Sequence, residues 1–508
     1  MEWKRAIFAT ALQAALVLVL FVASVRPAQA AGIVVDSAAD VVAVDAVCTL
    51  REAIANANAD ADTTGGDCGP GSGADTITFA AGYTVTLAGS QLAVVSSEIT
   101  ITGNGPANTI IQAAPTPSST THRVFEVGGT GNLTLAQMTV RHGFCSGVSC
   151  TTGGGIHNAG TLKLTGSTLS ANGASHLGGG IYNAGMLELT GSTCSGNTAG
   201  QDGGGIHNDG GTASVTDSTL SGNVAFSTGA GLLNDAGTLI VTDSTVSGNS
   251  GSVDGGGVYN REEGTVTVIN STLSGNSAAL HGGGLLNGGT ATVTHSTVTG
   301  NGARLEGGGI WGGGSGGLAL SRSLVSGNDA FGSGGIEGDG SEIYDPNGTI
   351  TADDYNVLGY DLLSDAEAFF DFTPGATDRT ATSDGADPTA LAAILGALDD
   401  NGGPTLTHAL VDGSPAIDFG PSADCAAATA VDGLDQRGEM RGVDIPGTGD
   451  DVGLNLCDAG AYEAQPPAAV PVPPWTGLVI ALLLVTFGSN RPDLRASVTG
   501  TCHLLPRS

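Results

Sequence analysis

Asp254, His281 and Glu306 are the first candidates for chemistry, because they occupy one position in three successive repeats. Each stands just before a glycine cluster, at the place that Leu177, Asp202 and Thr228 fill earlier in the chain. Stacked one strand apart, roughly 5 Å, two carboxylates and an imidazole have the spacing to hold a divalent cation such as calcium. The plainer reading is a solvated polar edge. A second column follows the apolar residue after each glycine cluster: His157, Tyr182, His207, Leu233, Tyr259, Leu286 and Trp311. Rings stacked up a flat face offer sugar rings an apolar platform; the alternative is an outward sheet face that binds nothing. Ser167, Ser192, Ser218, Ser244, Ser271, Ser296 and Ser323 form an unbroken third column, read as structural spacers and not as nucleophiles. No residue is assigned a catalytic role.

A repeat must position these columns. The apolar anchors Ile156, Ile181, Ile206, Leu232, Val258, Leu285 and Ile310 recur at intervals of about 25 to 27 residues, the length of a solenoid repeat. The asparagines closing the units, Asn172, Asn197, Asn223, Asn249, Asn276, Asn301 and Asn328, keep the same period. Pairs such as Leu162 and Leu164 alternate with period two, which excludes helical repeats, and the period is too short for a propeller blade. The expectation is an all-β, right-handed parallel β-helix with one coil per repeat of about 25 residues and three short strands per coil. Stacked asparagines would form an amide ladder, and glycines would turn the corners. Leu169, Cys194, Leu220, Val246, Leu273, Val298 and Val325 should make one buried stripe, with Cys194 acting as a small apolar residue. A single coil buries too little to offset its ordering entropy, so the coils must stack and their open ends need caps.

The whole chain sets further bounds. With 16 Lys+Arg against 49 Asp+Glu its formal net charge is −33, which disfavours nucleic acid and anionic membrane surfaces as partners. Lys4 and Arg5, the apolar run from Ala6 to Val25 and the Ala28-Gln29-Ala30 motif read as a secretory signal peptide over residues 1–30. Export permits disulfides. The candidate pairs are Cys48 with Cys68, Cys145 with Cys150, and Cys425 with Cys457, although spacing alone does not fix connectivity. No CxxC pair exists to suggest zinc, and the calcium β-roll motif is absent.

"CTLREAIANANAD" followed by "GADTITF" resembles the CSLREA-type N-terminal domain of bacterial secreted β-helix proteins, with a helix across Cys48 to Ala59. The repeats resemble pectin-lyase-like and polymorphic outer-membrane-protein β-helices. "DNGGPTLTHALVDGSPAID", "DQRG" and "CDAGAYE" resemble a choice-of-anchor domain. The tail "AQPPAAVPVPPWTGLVIALLLVTFG", with Arg491 and Arg495, resembles IPTL-type C-terminal sorting signals of Gram-negative bacteria. The resemblances imply an N-terminal cap over 31–99, β-helix repeats over 100–345, a C-terminal domain over 346–464 and a sorting tail over 465–508, the only part expected to contact a membrane. They also imply a secreted protein of the cell surface or outer membrane. Pectate-lyase-like enzymes build clefts from long loops between coils, whereas the near-constant repeat between Ile156 and Ile310 leaves no room for one, and Arg261 and Arg304 have no recurring partner. The expected function is therefore non-enzymatic display or adhesion, with glycans or a neighbouring cell surface as partner. The alternative is a polysaccharide lyase or hydrolase, which an inserted loop carrying paired carboxylates beside a Lys or Arg would favour.

Overall fold

A parallel coil leaves half of its backbone groups for the next coil to satisfy, so the fold exists only as a stack. The computed structural model describes residues 31–147, 150–330, 340–352, 354–421, 433–443 and 456–465. Four parallel sheets of 12, 10, 12 and 8 strands wind into a right-handed β-helix of about 11 turns and about 26 residues per coil. One coil runs through strands Ile156–Asn158, Thr161–Thr165, Thr168–Ser170 and Gly173–Ala174. Each such coil thus has four strands and not the expected three. The fourth is two residues long, too short to display alternation in the sequence.

The register is what the columns require. Ile156 pairs with Ile181 and Leu169 with Cys194, and the expected stripe from Leu169 to Val325 is fully buried. Cys194 is a free thiol among the described residues, pushed up to about 12 by burial, hence inert. The Asn172 Nδ2 donates to Asn197 Oδ1 at 3.0 Å, and the same bond recurs up to Asn301 and Asn328 at 2.9 Å. A second buried ladder, Asn158 to Asn183 to Asn208 to Asn234 to Asn260 to Asn287, runs beside the ten-stranded sheet with steps of 2.6–2.9 Å. The serine column is a third ladder: Ser167 N–H donates to Ser192 Oγ at 3.1 Å, and Ser192 Oγ donates to the Thr190 carbonyl at 3.0 Å. Gly153 turns at φ +65°, and a Cβ on Gly154 would lie 2.0 Å from the Gly173 carbonyl oxygen, so neither position has room for a side chain.

Stacking continues beyond residues 100–345 on both sides. The first 12-stranded sheet starts at Gly32–Val35 and ends at Ile350–Ala352, and the other ends at Arg379–Thr380. Helix α1, Leu50–Ala59, begins where Thr49 and Glu52 cap each other's backbone, inside the expected helical segment. Its Leu50, Ala53, Ile54 and Ala57 are buried in the same core as the coils. The chain after the last coil lies along the outside of the second 12-stranded sheet. There Thr245 Oγ1 donates to the Leu406 carbonyl at 2.6 Å, Thr272 Oγ1 to Gln436 Oε1 at 2.6 Å, and Arg441 to Asn270 Oδ1 at 2.6 Å. Disulfides join Cys48 to Cys68 and Cys145 to Cys150. Cys425, residues 1–30 with the expected signal peptide, and the tail beyond Gln465 lie outside the described residues, among which no helix is long and apolar enough to cross a membrane.

The first asparagine ladder ends on a buried carboxylate: Asn328 Nδ2 donates to Glu342 Oε2 at 2.6 Å and Gly327 N–H to Glu342 Oε1 at 2.7 Å. Burial pushes Glu342 up to about 7 despite these donors. An acid whose folded value exceeds its unfolded one stabilises the protein when protonated, so stability falls as pH rises from 4.5 to about 7. Glu342→Gln should flatten that slope, worth roughly 3 kcal/mol, in denaturant midpoints measured across the window. Asn223→Ala should cost about 2–5 kcal/mol by the same measurement at neutral pH, because it strands the amide of Asn197 below and deprives that of Asn249 above of its neighbour.

Candidate functional site

The outward positions of the ten-stranded sheet carry the ring column. His157 and Tyr182 stack at 5.0 Å between centroids, and Tyr182 and His207 at 5.6 Å. The column is less open than its outward register suggests. His207 is 1% exposed and Leu233 0%, and the glycine turn before each anchor packs closely on the column; a Cβ on Gly229 would sit 2.6 Å from Leu233 Cβ. Rings stacked on one another also consume the faces that a sugar would need. His157 and Tyr182 therefore present edges, and burial lowers the titration of His157 and His207 so that both imidazoles are neutral at pH 7.

Tyr259, Leu286 and Trp311 are different. They are Cα neighbours on three successive coils, and the leucine between the two rings leaves a gap where no ring stacks. Trp311 stacks on Tyr344 on its far side, at 6.3 Å and 12°. The gap opens into a groove of about 420 Å³, floored by Tyr259, Leu286 and Trp311 and rimmed by Asp235, Arg261 and Glu262. The wall arises from one turn. Where other coils pass from Asn to the next strand through such turns as Ala-Gly or Asp-Gly-Gly, this one reads Arg261-Glu262-Glu263-Gly264, in the longest of the repeats between Ile156 and Ile310. Arg261 bonds Asp235 at 2.6 Å and Asp202 at 2.8 Å and lies 5.7 Å from the Tyr259 ring centroid. Burial would lower the guanidinium, but the two carboxylates outweigh it and raise it further. Asp202 is likewise held down: hydrogen bonds from Thr228 and the charge of Arg261 overcome its burial.

Sequence reasoning missed Arg261 and its turn as parts of a site. The available signal was the longer repeat, since added residues in a strict solenoid must leave the wall as a turn.

Asp254, His281 and Glu306 do stand in line. His281 Nδ1 meets Asp254 Oδ1 at 2.8 Å, and His281 Nε2 lies 3.6 Å from Glu306 Oε2. Because His281 spans its partners through opposite nitrogens, the three form a relay and do not converge on one point. The Glu306 carboxylate also accepts from Trp311 Nε1 at 3.4 Å, which ties the relay to the groove.

No family model matches the sequence, and no curated protein does. Among solved structures, pectate lyase Pel9A is similar over 77% of this chain and 88% of its own, at 13% identity and a TM-score of 0.43.

The hydrogen bond that His281 Nδ1–H donates to the Asp254 carboxylate raises His281 above the ordinary imidazole value of 6.5, against the effect of burial. A base raised on folding stabilises fully below its unfolded value, and the contribution disappears as pH rises through the folded one. As pH rises above 6.5 the chain should lose a modest part of its stability through this partly exposed pair. In Asp254→Asn that component should vanish from the pH dependence of the denaturant midpoint.

Proposed function

We propose that the protein is a secreted, surface-attached β-helix that binds carbohydrate without transforming it, serving display or adhesion. The groove over Tyr259, Leu286 and Trp311 carries this reading. An apolar floor with ring faces and a rim of hydrogen-bonding side chains suits a sugar, whose C–H faces pack on rings while its hydroxyls meet carboxylates and a guanidinium. The rim holds Asp235 and Glu262 beside an Arg261 that is already paired, so the preferred ligand is a neutral or amino sugar and not a uronate. Export and attachment would be the work of residues 1–30 and 465–508, with a neighbouring cell surface or its glycans as partner.

The turn Arg261-Glu262-Glu263 is an arginine beside paired carboxylates, the feature that favours a polysaccharide lyase or hydrolase. The pairing of Arg261 argues against the lyase. To serve as a base it would have to lose a proton while bonded to two carboxylates that hold it protonated. Binding is the reading we adopt.

Glycan-array binding by the purified chain tests this. Trp311→Ala and Tyr259→Ala should each weaken the best neutral-sugar signal by about tenfold or more. His157→Ala, on the stacked stretch, should leave it unchanged. Retained binding in Trp311→Ala would dismiss the groove, and release of unsaturated sugar products by the wild-type chain would establish the lyase instead.

A further inference from the structure

Strand Ile206–Asp209 places His207 and Asp209 two residues apart, hence on the same outward side, and Asp235 is the Cα partner of Asp209 on the next coil. A ring nitrogen of His207 and one carboxylate oxygen each of Asp209 and Asp235 lie within 4.8 Å of one another. His207 is 1% exposed, and its buried Nδ1 has no hydrogen-bond partner. A buried nitrogen without a partner is costly unless something occupies it. His157 and His295 also hold unpartnered ring nitrogens, but among the described residues only His207 gathers two further ligand side chains around it.

We propose that His207, Asp209 and Asp235 bind a divalent first-row transition ion of the zinc class. The donor set, one imidazole and two carboxylates, fits such an ion better than calcium, which takes oxygens alone. Charge agrees. Of three neighbouring carboxylates, Arg261 bonds those of Asp202 and Asp235, while Asp209 stands in register beside Asp235. One guanidinium leaves two of the three negative charges unbalanced, and a divalent cation balances them. The surroundings orient the ligands: the Tyr182 hydroxyl donates to Asp209 Oδ2, and its ring stacks on that of His207. Arg261 holds Asp235 by Oδ2, and no donor among the described residues occupies the second oxygen. Asp209 is exposed, which gives the ion a path from solvent. The motif is His-x-Asp on one coil with Asp in register on the next, and it shares no residue with the relay at His281.

Zinc chloride titrated into the chelator-treated chain, with bound metal counted after equilibrium dialysis, tests the proposal without any glycan and so separately from the groove reading. One zinc per chain is expected, with thermal midpoint rising on binding. Asp209→Asn with Asp235→Asn should weaken zinc by at least roughly tenfold. Asp209 is exposed and Asp235 only partly buried, and far-ultraviolet circular dichroism reports whether the coils persist. Cobalt in place of zinc should show visible absorption that His207→Gln shifts. The control Asp254→Asn with Glu306→Gln should bind as wild type. Unchanged zinc stoichiometry in Asp209→Asn/Asp235→Asn, no binding by the wild-type chain, or displacement of zinc by equimolar calcium would each overturn the proposal.

Discussion

Everything in this molecule depends on a polar group in one coil finding its partner in the next. A buried asparagine shows the constraint most completely. Asn223 donates one Nδ2 proton to the Cys194 carbonyl behind it and the other to Asn249 Oδ1 ahead, while its own Oδ1 accepts from the Asn197 amide and backbone N–H. All its capacity is used, at 3.0 Å or shorter, inside the protein. No coil can satisfy itself, so an asparagine, a serine or an aliphatic residue must return at the same place each time. The near-constant period of the chain is the sequence record of that requirement.

The same constraint decides where a site can form. Residues can be added only where no ladder is cut, and the turn at Arg261 shows how. Asn208 reaches the Gly211 carbonyl three residues on, whereas Asn260 reaches that of Gly264, four residues on, and still bonds Asn287 at 2.8 Å. The second asparagine ladder thus stays continuous while the turn outside it grows by one residue. That residue brings Arg261, Glu262 and Glu263 to the edge of the ring column and makes a wall. The groove is a local excess of turn on an otherwise unchanged wall.

The fold was legible in the sequence because each statement about it was repeated in every coil: the Leu169 stripe, the first asparagine column and the glycine corners all returned in register. Columns compare like positions, and this is also why the site was legible only in part. Arg261 bonds Asp202 and Asp235, which belong to two different columns and lie 59 and 26 residues back. No periodic reading joins them. The ring column was visible, but the burial of His207 and Leu233 within it is a matter of tertiary packing that the sequence period does not state. The fourth strand went unread because two residues cannot alternate.

Stacking also governs how a chain with a net charge of −33 tolerates itself. Equal positions lie about 4.8 Å apart, so a column of carboxylates would repel along its whole length. The structure breaks such columns in three ways. Lys163 faces Glu188 on the neighbouring strand at 2.8 Å, and His281 separates Asp254 from Glu306. At the corner column Asp217 stands before Asp243, which burial, against a hydrogen bond from Asn270 and aided by the charge of Asp217, pushes up to about 6, so the second acid takes up a proton more readily than an exposed carboxylate. Asp209 and Asp235 stand in register with no opposite charge between them. Their relief comes from beyond the column, from Arg261 and the Tyr182 hydroxyl, and Arg261 is shared with Asp202. Where the rule of alternating charge is broken most openly, the structure has set an imidazole without a partner for Nδ1 beside two stacked carboxylates. A solenoid held together by complete pairing makes such incompleteness conspicuous.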